Sequence, residues 1–181
     1  NVKTGYMLGK FKNRTVNHAS GDTQSWKRVS IIYRLAEFYL FYAEALNETD
    51  PSNPDIIKYI DMVRERAGIP GYQTMNDNGI KTGIIGNYDK QLDAIQHERY
   101  VELYCEGQRY FDIRRWMICG DKDRIGCDQT RFYGMNMKGS KDKTPGEPTS
   151  YYTRTKVENR QWTDKLYLYP IHQNVIELAN G

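Results

Sequence analysis

The chain has 181 residues, a formal charge of +3, and 39% apolar residues against 15 tyrosines. That length suffices for one domain with its own core, and no apolar run approaches the roughly 18 residues of a membrane span. So mild a charge lacks the concentrated basic stripe that nucleic acid demands, and aromatics at 13% make much of the burying surface amphipathic tyrosine.

The opening residues, NVKTGYMLGKFKNR, have no apolar core or cleavage site and so are not a signal peptide. Without an initiator Met they read as the start of a fragment or a processed chain. Residues 1–30 are polar, with short strands expected near 6–11 and 27–32. From 31 to 47, IIYRLAEFYLFYAEALN, the residues Leu35, Phe38, Tyr42, Ala45 and Leu46 recur at steps of three and four, which predicts a helix with that stripe as its apolar face. After the turn TDPSN, Asn53 and Pro54 look like an N-cap and first helical position. The following helix, PDIIKYIDMVRERAG, puts Ile56, Ile60, Val63 and Ala67 on one stripe and stops at Gly68, and the two helices form an αα-hairpin. Residues 71–88 read as loop, rich in Gly, Asn and Thr. Asp89 is the expected cap of a helix over 90–105, and a fourth helix is expected over 108–118, joined at Gly107 as a second hairpin. Residues 119–165 hold Gly/Pro and charged stretches without periodicity, a length that is functional or ordered by packing. LYLYPI at 166–171 reads as a short strand, and HQNVIELAN as a last helical turn or two.

The chemistry concentrates in residues 97–116, HERYVELYCEGQRYFDIRRW. Glu98, Glu102 and Glu106 stand four apart and share a helix face, with Arg109 and Asp112 continuing the line at steps of three. Three like charges in a row repel, so the pattern makes sense against arginines, and Arg34, Arg64, Arg66 and Arg99 are available. The expectation is a charged seam between packed helices, with Arg34 facing Glu37 or Glu44, and Arg109 facing Glu106 or Asp112. Such ion pairs are structural, and the spacing supports no metal or catalytic role. A di-iron bundle needs Glu-x-x-His, whereas His97 precedes Glu98. His18, His97 and His172 are isolated. A glycoside hydrolase needs two carboxylates across a sugar cleft, but carboxylates matched by this many arginines read as ion-paired structure. The basic segment IRRWMICGDKDR is interrupted by acids, against nucleic acid. Three cysteines, Cys105, Cys119 and Cys127, leave at least one thiol unpaired; Cys119 and Cys127 either close a short loop or are small apolar residues.

Taken in order, RLAEFYLFYAEALNE, VRERAGIP, HERYVELYCEGQRYFDIRRW and YLYPIHQ, preceded by TGYMLGKF, resemble the carboxy-terminal region of the SusD/RagB family. The resemblance runs from about Thr4 to Gln173. It implies a mainly α fold, an α-α superhelix of tetratricopeptide-like helix hairpins with long irregular loops and a few short strands. The chain is then expected to be a single domain, 1–181, the carboxy-terminal portion of a longer protein. It also implies a non-catalytic protein at the outer-membrane surface of Bacteroidetes, without cofactor, that binds oligosaccharide or peptide for a SusC-like TonB-dependent transporter. Membrane attachment is by a lipid anchor outside this sequence. His172 departs from the family's PIPQ pattern, in which a second proline is usual. Sugar recognition wants flat apolar faces, and the loop aromatics Trp26, Tyr133, Tyr151, Tyr152 and Trp162 are the candidates, Trp26 first because it sits in a Gly/Ser/Asp-rich loop. Each has a competing role in packing loop onto helix. The rival function is a helical-repeat interaction scaffold with no small ligand of its own.

Overall fold

The computed structural model describes residues 3–11, 31–121, 132–159 and 161–179. Six helices and one two-stranded sheet make the fold mainly helical among those residues. The chain divides into two compact units, Val29–Asp112, and Asn1–Arg28 with Ile113–Gly181.

In the first unit, α1 (Leu35–Thr49) and α2 (Asp55–Arg66) form the expected hairpin. Asn53 Oδ1 accepts from the Asp55 amide at 3.0 Å, satisfying a donor that a helix start leaves open. The end of α2 follows from Gly68, at φ +79°. Its amide donates to Glu65 O at 2.9 Å and the Ile69 amide to Arg64 O at 3.1 Å, the paired bonds of a Schellman motif. A short helix, α3 (Tyr72–Asp77), lies inside the stretch expected to be loop. It is held by Asp61, whose carboxylate accepts from the Tyr72 and Gln73 amides. Gly71 permits that approach, since a Cβ there would sit 2.6 Å from Asp61 Cγ.

α4 (Tyr88–Glu102) starts at Asn87, whose Oδ1 accepts from the Lys90 amide at 3.1 Å, so the cap lies two residues before the expected Asp89. It also ends three residues earlier than expected. Cys105 and Gly107 take the left-handed conformation, at φ +62° and +86°, and turn the chain into α5 (Gln108–Arg115). α5 in turn stops short of Ile118, because Met117 is left-handed and the Ile118 amide closes onto Ile113 O at 3.0 Å.

The core of this unit joins Leu40 and Ala43 of α1, Ile56, Ile57, Ile60 and Val63 of α2, Tyr72 of α3, and Ala94 and Ile95 of α4. For α2 the buried stripe is the expected one, except that Ala67 is exposed. For α1 it is not. Leu35, Phe38 and Tyr42 are 63%, 57% and 46% exposed, and the inward face carries Glu37, Leu40, Ala43, Glu44 and Asn47. Periodicity gives a face but not its direction, and here buried hydrogen bonds decide it. Asn47 Nδ2 donates to Tyr88 O at 3.1 Å, while Gln91 Nε2 donates to Asn47 Oδ1 at 2.7 Å. These amides fasten the end of α1 to the start of α4.

The second unit carries an antiparallel hairpin, β1 (Phe132–Met135) with β2 (Arg154–Glu158), inside the segment that lacked periodicity. Tyr133 stands opposite Lys156 and Met135 opposite Arg154, with a bulge between Phe132 and Tyr133. An amino-terminal turn, with Thr4 and Gly5, lies against β1. The Met135 amide donates to Thr4 O at 2.8 Å, and a Cβ on Gly134 would fall 2.6 Å from Thr4 Cα. Residues 6–11 form no strand, and the 27–30 part of the other expected strand lies outside the described residues. The expected strand at 166–171 is replaced by a single 3-10 turn, Asp164–Tyr167, before α6 (Gln173–Ala179).

Leu40→Ala should lower stability by about 2–5 kcal/mol, the cost of a cavity in a closed core. Phe38→Ala, on the exposed face of the same helix, should change it by no more than about 0.5 kcal/mol. Urea unfolding of both variants checks the assignment of the α1 faces, and a reversed order would contradict it.

Candidate functional site

Two groups of side chains carry possible function, one in each unit. In the helical unit the acidic row meets its arginines. Arg34 bonds Glu102 through Nη1 and Glu106 Oε2 through Nε at 2.7 Å, and its Nη2 donates to Glu102 O at 2.6 Å. Burial would lower the Arg34 pKa, but the bonds to Glu106 and Glu102 outweigh it and hold the group above its ordinary value. Arg66 also reaches Glu102. Arg64 bonds Glu98, which accepts from Tyr72 Oη at 3.1 Å. Burial, then the adjacent Glu98 carboxylate, raises the Tyr72 pKa, so the phenol stays a donor.

Arg99 is the most enclosed charge of the row. Its Nε and Nη2 donate to the two oxygens of Asp112, both at 2.9 Å, and its guanidinium covers the Phe41 ring at 4.2 Å. The side chains are 0% and 4% exposed. A bidentate pair of this geometry fixes orientation as well as charge. Arg34 thus bonds Glu102 and Glu106 rather than Glu37 or Glu44, because it is the extended N-cap residue of α1 and does not share the helical face of those two glutamates. Glu37 is buried near Arg99, Glu106, Arg34 and Asp112, and burial raises its pKa above the usual carboxylate range despite the nearby guanidinium of Arg99. Glu44 is buried on the same face. Arg109 lies over the Tyr100 ring at 4.6 Å. Among the described residues no three His, Cys, Asp or Glu side chains converge so as to hold a metal ion.

The aromatic candidates fall in the second unit. Trp26 lies outside the described residues, as does Cys127. Tyr133 is half-buried beneath Arg154, whose guanidinium is 4.2 Å from the ring. Tyr151 and Tyr152 meet edge to face at 5.4 Å; Tyr151 Oη donates to Gly5 O at 3.1 Å, and Tyr152 stays 46% exposed. Trp162 packs edge to face on Tyr167 at 4.8 Å, beside Gly120 and Arg114. Its setting is that of a packing residue. Tyr133, Tyr151 and Tyr152 belong to the hairpin and the turn that feeds it, and Trp162 stands apart beside the 3-10 turn. Cys119 is buried, and its thiol donates to Ile113 O at 3.3 Å.

Next to the hairpin is an open groove of about 500 Å³ that the sequence alone did not reveal. Met135, Met137 and Val157 give it an apolar lining, Asn136 and Thr155 add polar groups, and Lys3, Lys138 and Lys156 complete it. Its one sequence signal is the alternation in RTKVE, a period-2 pattern too short to stand out within a polar segment.

The sequence model of the SusD family matches residues 1–181. The chain belongs to the SusD family. Two curated relatives from Formosa agariphila are similar to it. SusD-like protein P2 is 37% identical over 82 residues, which is 45% of this chain and 16% of that protein. SusD-like protein P25 is 35% identical over 117 residues, 63% of this chain and 20% of that protein. The matched region is therefore a minor part of each relative's length. No solved structure matches the chain. As a family, SusD-like proteins are associated with glycan binding in nutrient uptake.

Arg99→Met removes the bidentate bonds to buried Asp112 and should cost about 3–5 kcal/mol, whereas Arg99→Met with Asp112→Leu should regain part of that loss. Denaturant titration of the two single variants and the double variant measures the coupling. Glu37 supplies a pH test. A folded-state pKa above the unfolded value gives stability that is present below the unfolded pKa, about 4.3 for Glu, and lost as pH rises through the folded value. Glu37→Gln should accordingly melt close to the parent in acid and above it at neutral pH. An equal offset at both pH values would argue against a titrating Glu37.

Proposed function

We propose that this SusD-like chain is part of a non-catalytic glycan-binding protein at the outer-membrane surface, which holds oligosaccharide for a SusC-like TonB-dependent transporter. The match to the SusD family across residues 1–181 carries this reading. Attachment to the membrane would be by a lipid anchor outside these residues; within them, no described helix is long and apolar enough to cross a membrane. The geometry is consistent with a division of labour. In the helical unit Glu98, Glu102 and Asp112 are engaged with arginines, so these carboxylates serve packing. In the hairpin unit Tyr152 and Tyr133 are 46% and 36% exposed, and an open groove lies beside the same hairpin. Trp26 remains a candidate contributor, with its position outside the described residues.

The rival reading, a helical scaffold that binds protein alone, draws support from α1. Leu35, Phe38 and Tyr42 make an exposed apolar face on α1. The same face suits the transporter contact of the first reading, so ligand binding distinguishes the two. Isothermal titration of the chain against a panel of oligosaccharides should give saturable binding to at least one class. Tyr152→Ala should weaken it by about threefold to tenfold, the equivalent of one aromatic contact of about 0.5–1.5 kcal/mol. Absence of binding to every sugar, with transporter association retained, would favour the scaffold.

A further inference from the structure

The groove beside the hairpin carries a charge pattern that glycan binding in general does not require. Its three lysines come from three separate segments. Lys3 arrives on the amino-terminal turn that Thr4 fastens to Met135. Lys138 follows β1 in a turn fixed by Asn136 Oδ1, which accepts from the Lys138 amide at 3.2 Å. Lys156 comes from β2, opposite Tyr133. No Asp or Glu lines the groove, and none of the three ammonium groups forms an ion pair among the described residues. Other cations of this unit do find partners. Lys143 lies 3.7 Å from Glu147, and Arg154 rests on Tyr133.

Three lysines lining one groove, with no acid in that lining, give it a positive field that a concave, partly apolar wall strengthens toward anions. Lysine is a compact point charge on a flexible stem, suited to a single oxyanion rather than to bidentate recognition. In the same groove Met135, Met137 and Val157 supply soft apolar surface on which ring C–H groups can rest, since methionine adapts to irregular shapes. A neutral sugar would use that floor but gain little from the charges. A sugar bearing carboxylate or sulfate ester groups would use both.

We propose that this groove is a binding site for anionic oligosaccharide, with Lys3, Lys138 and Lys156 meeting its carboxylate or sulfate groups and Met135, Met137 and Val157 supporting its rings. This rests on the glycan-binding reading above and narrows it to a substrate class.

The test is isothermal titration of the full chain with oligogalacturonate, with a sulfated carrageenan oligosaccharide, and with neutral maltooligosaccharide and cellooligosaccharide of equal length. At low salt, at least one anionic ligand should bind about tenfold or more tightly than the neutral ones, a ratio worth about 1.4 kcal/mol. The galacturonate and carrageenan arms show which oxyanion is preferred. That advantage should shrink severalfold as salt rises from about 0.1 M to 1 M, where the screening length falls from roughly 10 Å to 3 Å. The triple variant Lys3→Gln, Lys138→Gln, Lys156→Gln should lose the preference and keep the parent's circular dichroism and melting profile. Single Lys156→Gln, with less risk to folding, should lose a part of it. Equal binding of neutral and anionic sugars, or a preference intact in the triple variant, overturns the anionic site while leaving glycan binding standing. Failure to bind any sugar overturns both readings. Lysine-dependent binding of phosphatidylglycerol vesicles without binding of either anionic sugar would assign the groove to a membrane surface and overturn the proposal.

Discussion

The helical unit depends on a charge it has hidden completely. Arg99, with its side chain 0% exposed, is held by both oxygens of Asp112 across the turn that joins α4 to α5. Removing an ion from water costs several kcal/mol, and only close, well-directed partners offset that. The helix ends must therefore stay where the pair needs them, and the left-handed Cys105 and Gly107 set the turn that permits it. The other arginines extend the same constraint outward in steps of decreasing burial. Arg64 and Glu98 are nearly enclosed, Arg34 less so, and Arg66 is 58% exposed. The outermost pair contributes little, because water and salt screen it.

This arrangement explains the orientation of α1. Glu37, Glu44 and Asn47 face inward beside Leu40 and Ala43, and Leu35, Phe38 and Tyr42 face out. At Glu37 burial outweighs the nearby guanidinium of Arg99, so this inward carboxyl is raised in pKa. The outward residues Leu35, Phe38 and Tyr42 are left exposed on the opposite face of the same helix.

The two units use positive charge in opposite ways. In the helical unit Arg34, Arg64, Arg66 and Arg99 are spent on carboxylates and hold helices together. In the hairpin unit Lys3, Lys138 and Lys156 converge on a groove without an acid. Arginine suits the first task through its fixed fork of donors, and lysine the second through its mobile, strongly hydrated charge. A SusD-like binding role is compatible with both, a stiff scaffold in one place and an accessible charged surface in another.

Local chemistry was largely readable from the residues in order. Gly68 stopped α2, Asn53 opened it, the step-of-four glutamates announced an arginine-matched seam, and the motif order announced the family. These features depend on neighbours within a turn or two, where periodicity and turn preferences act directly. Other features depend on residues far apart in the chain. The inward face of α1 was set by Gln91 and Tyr88 bonding to Asn47, and α3 by Asp61 capping it from another helix. The groove exists only because residues near the amino terminus lie against a hairpin more than a hundred residues later. By itself the sequence determined the longer helices α1, α2 and α4 and which charges need partners, because both are short-range properties. Tertiary structure alone decided which face is buried, which arginine meets which acid, and where lysines gather, because each of those is a balance between groups that only folding brings together.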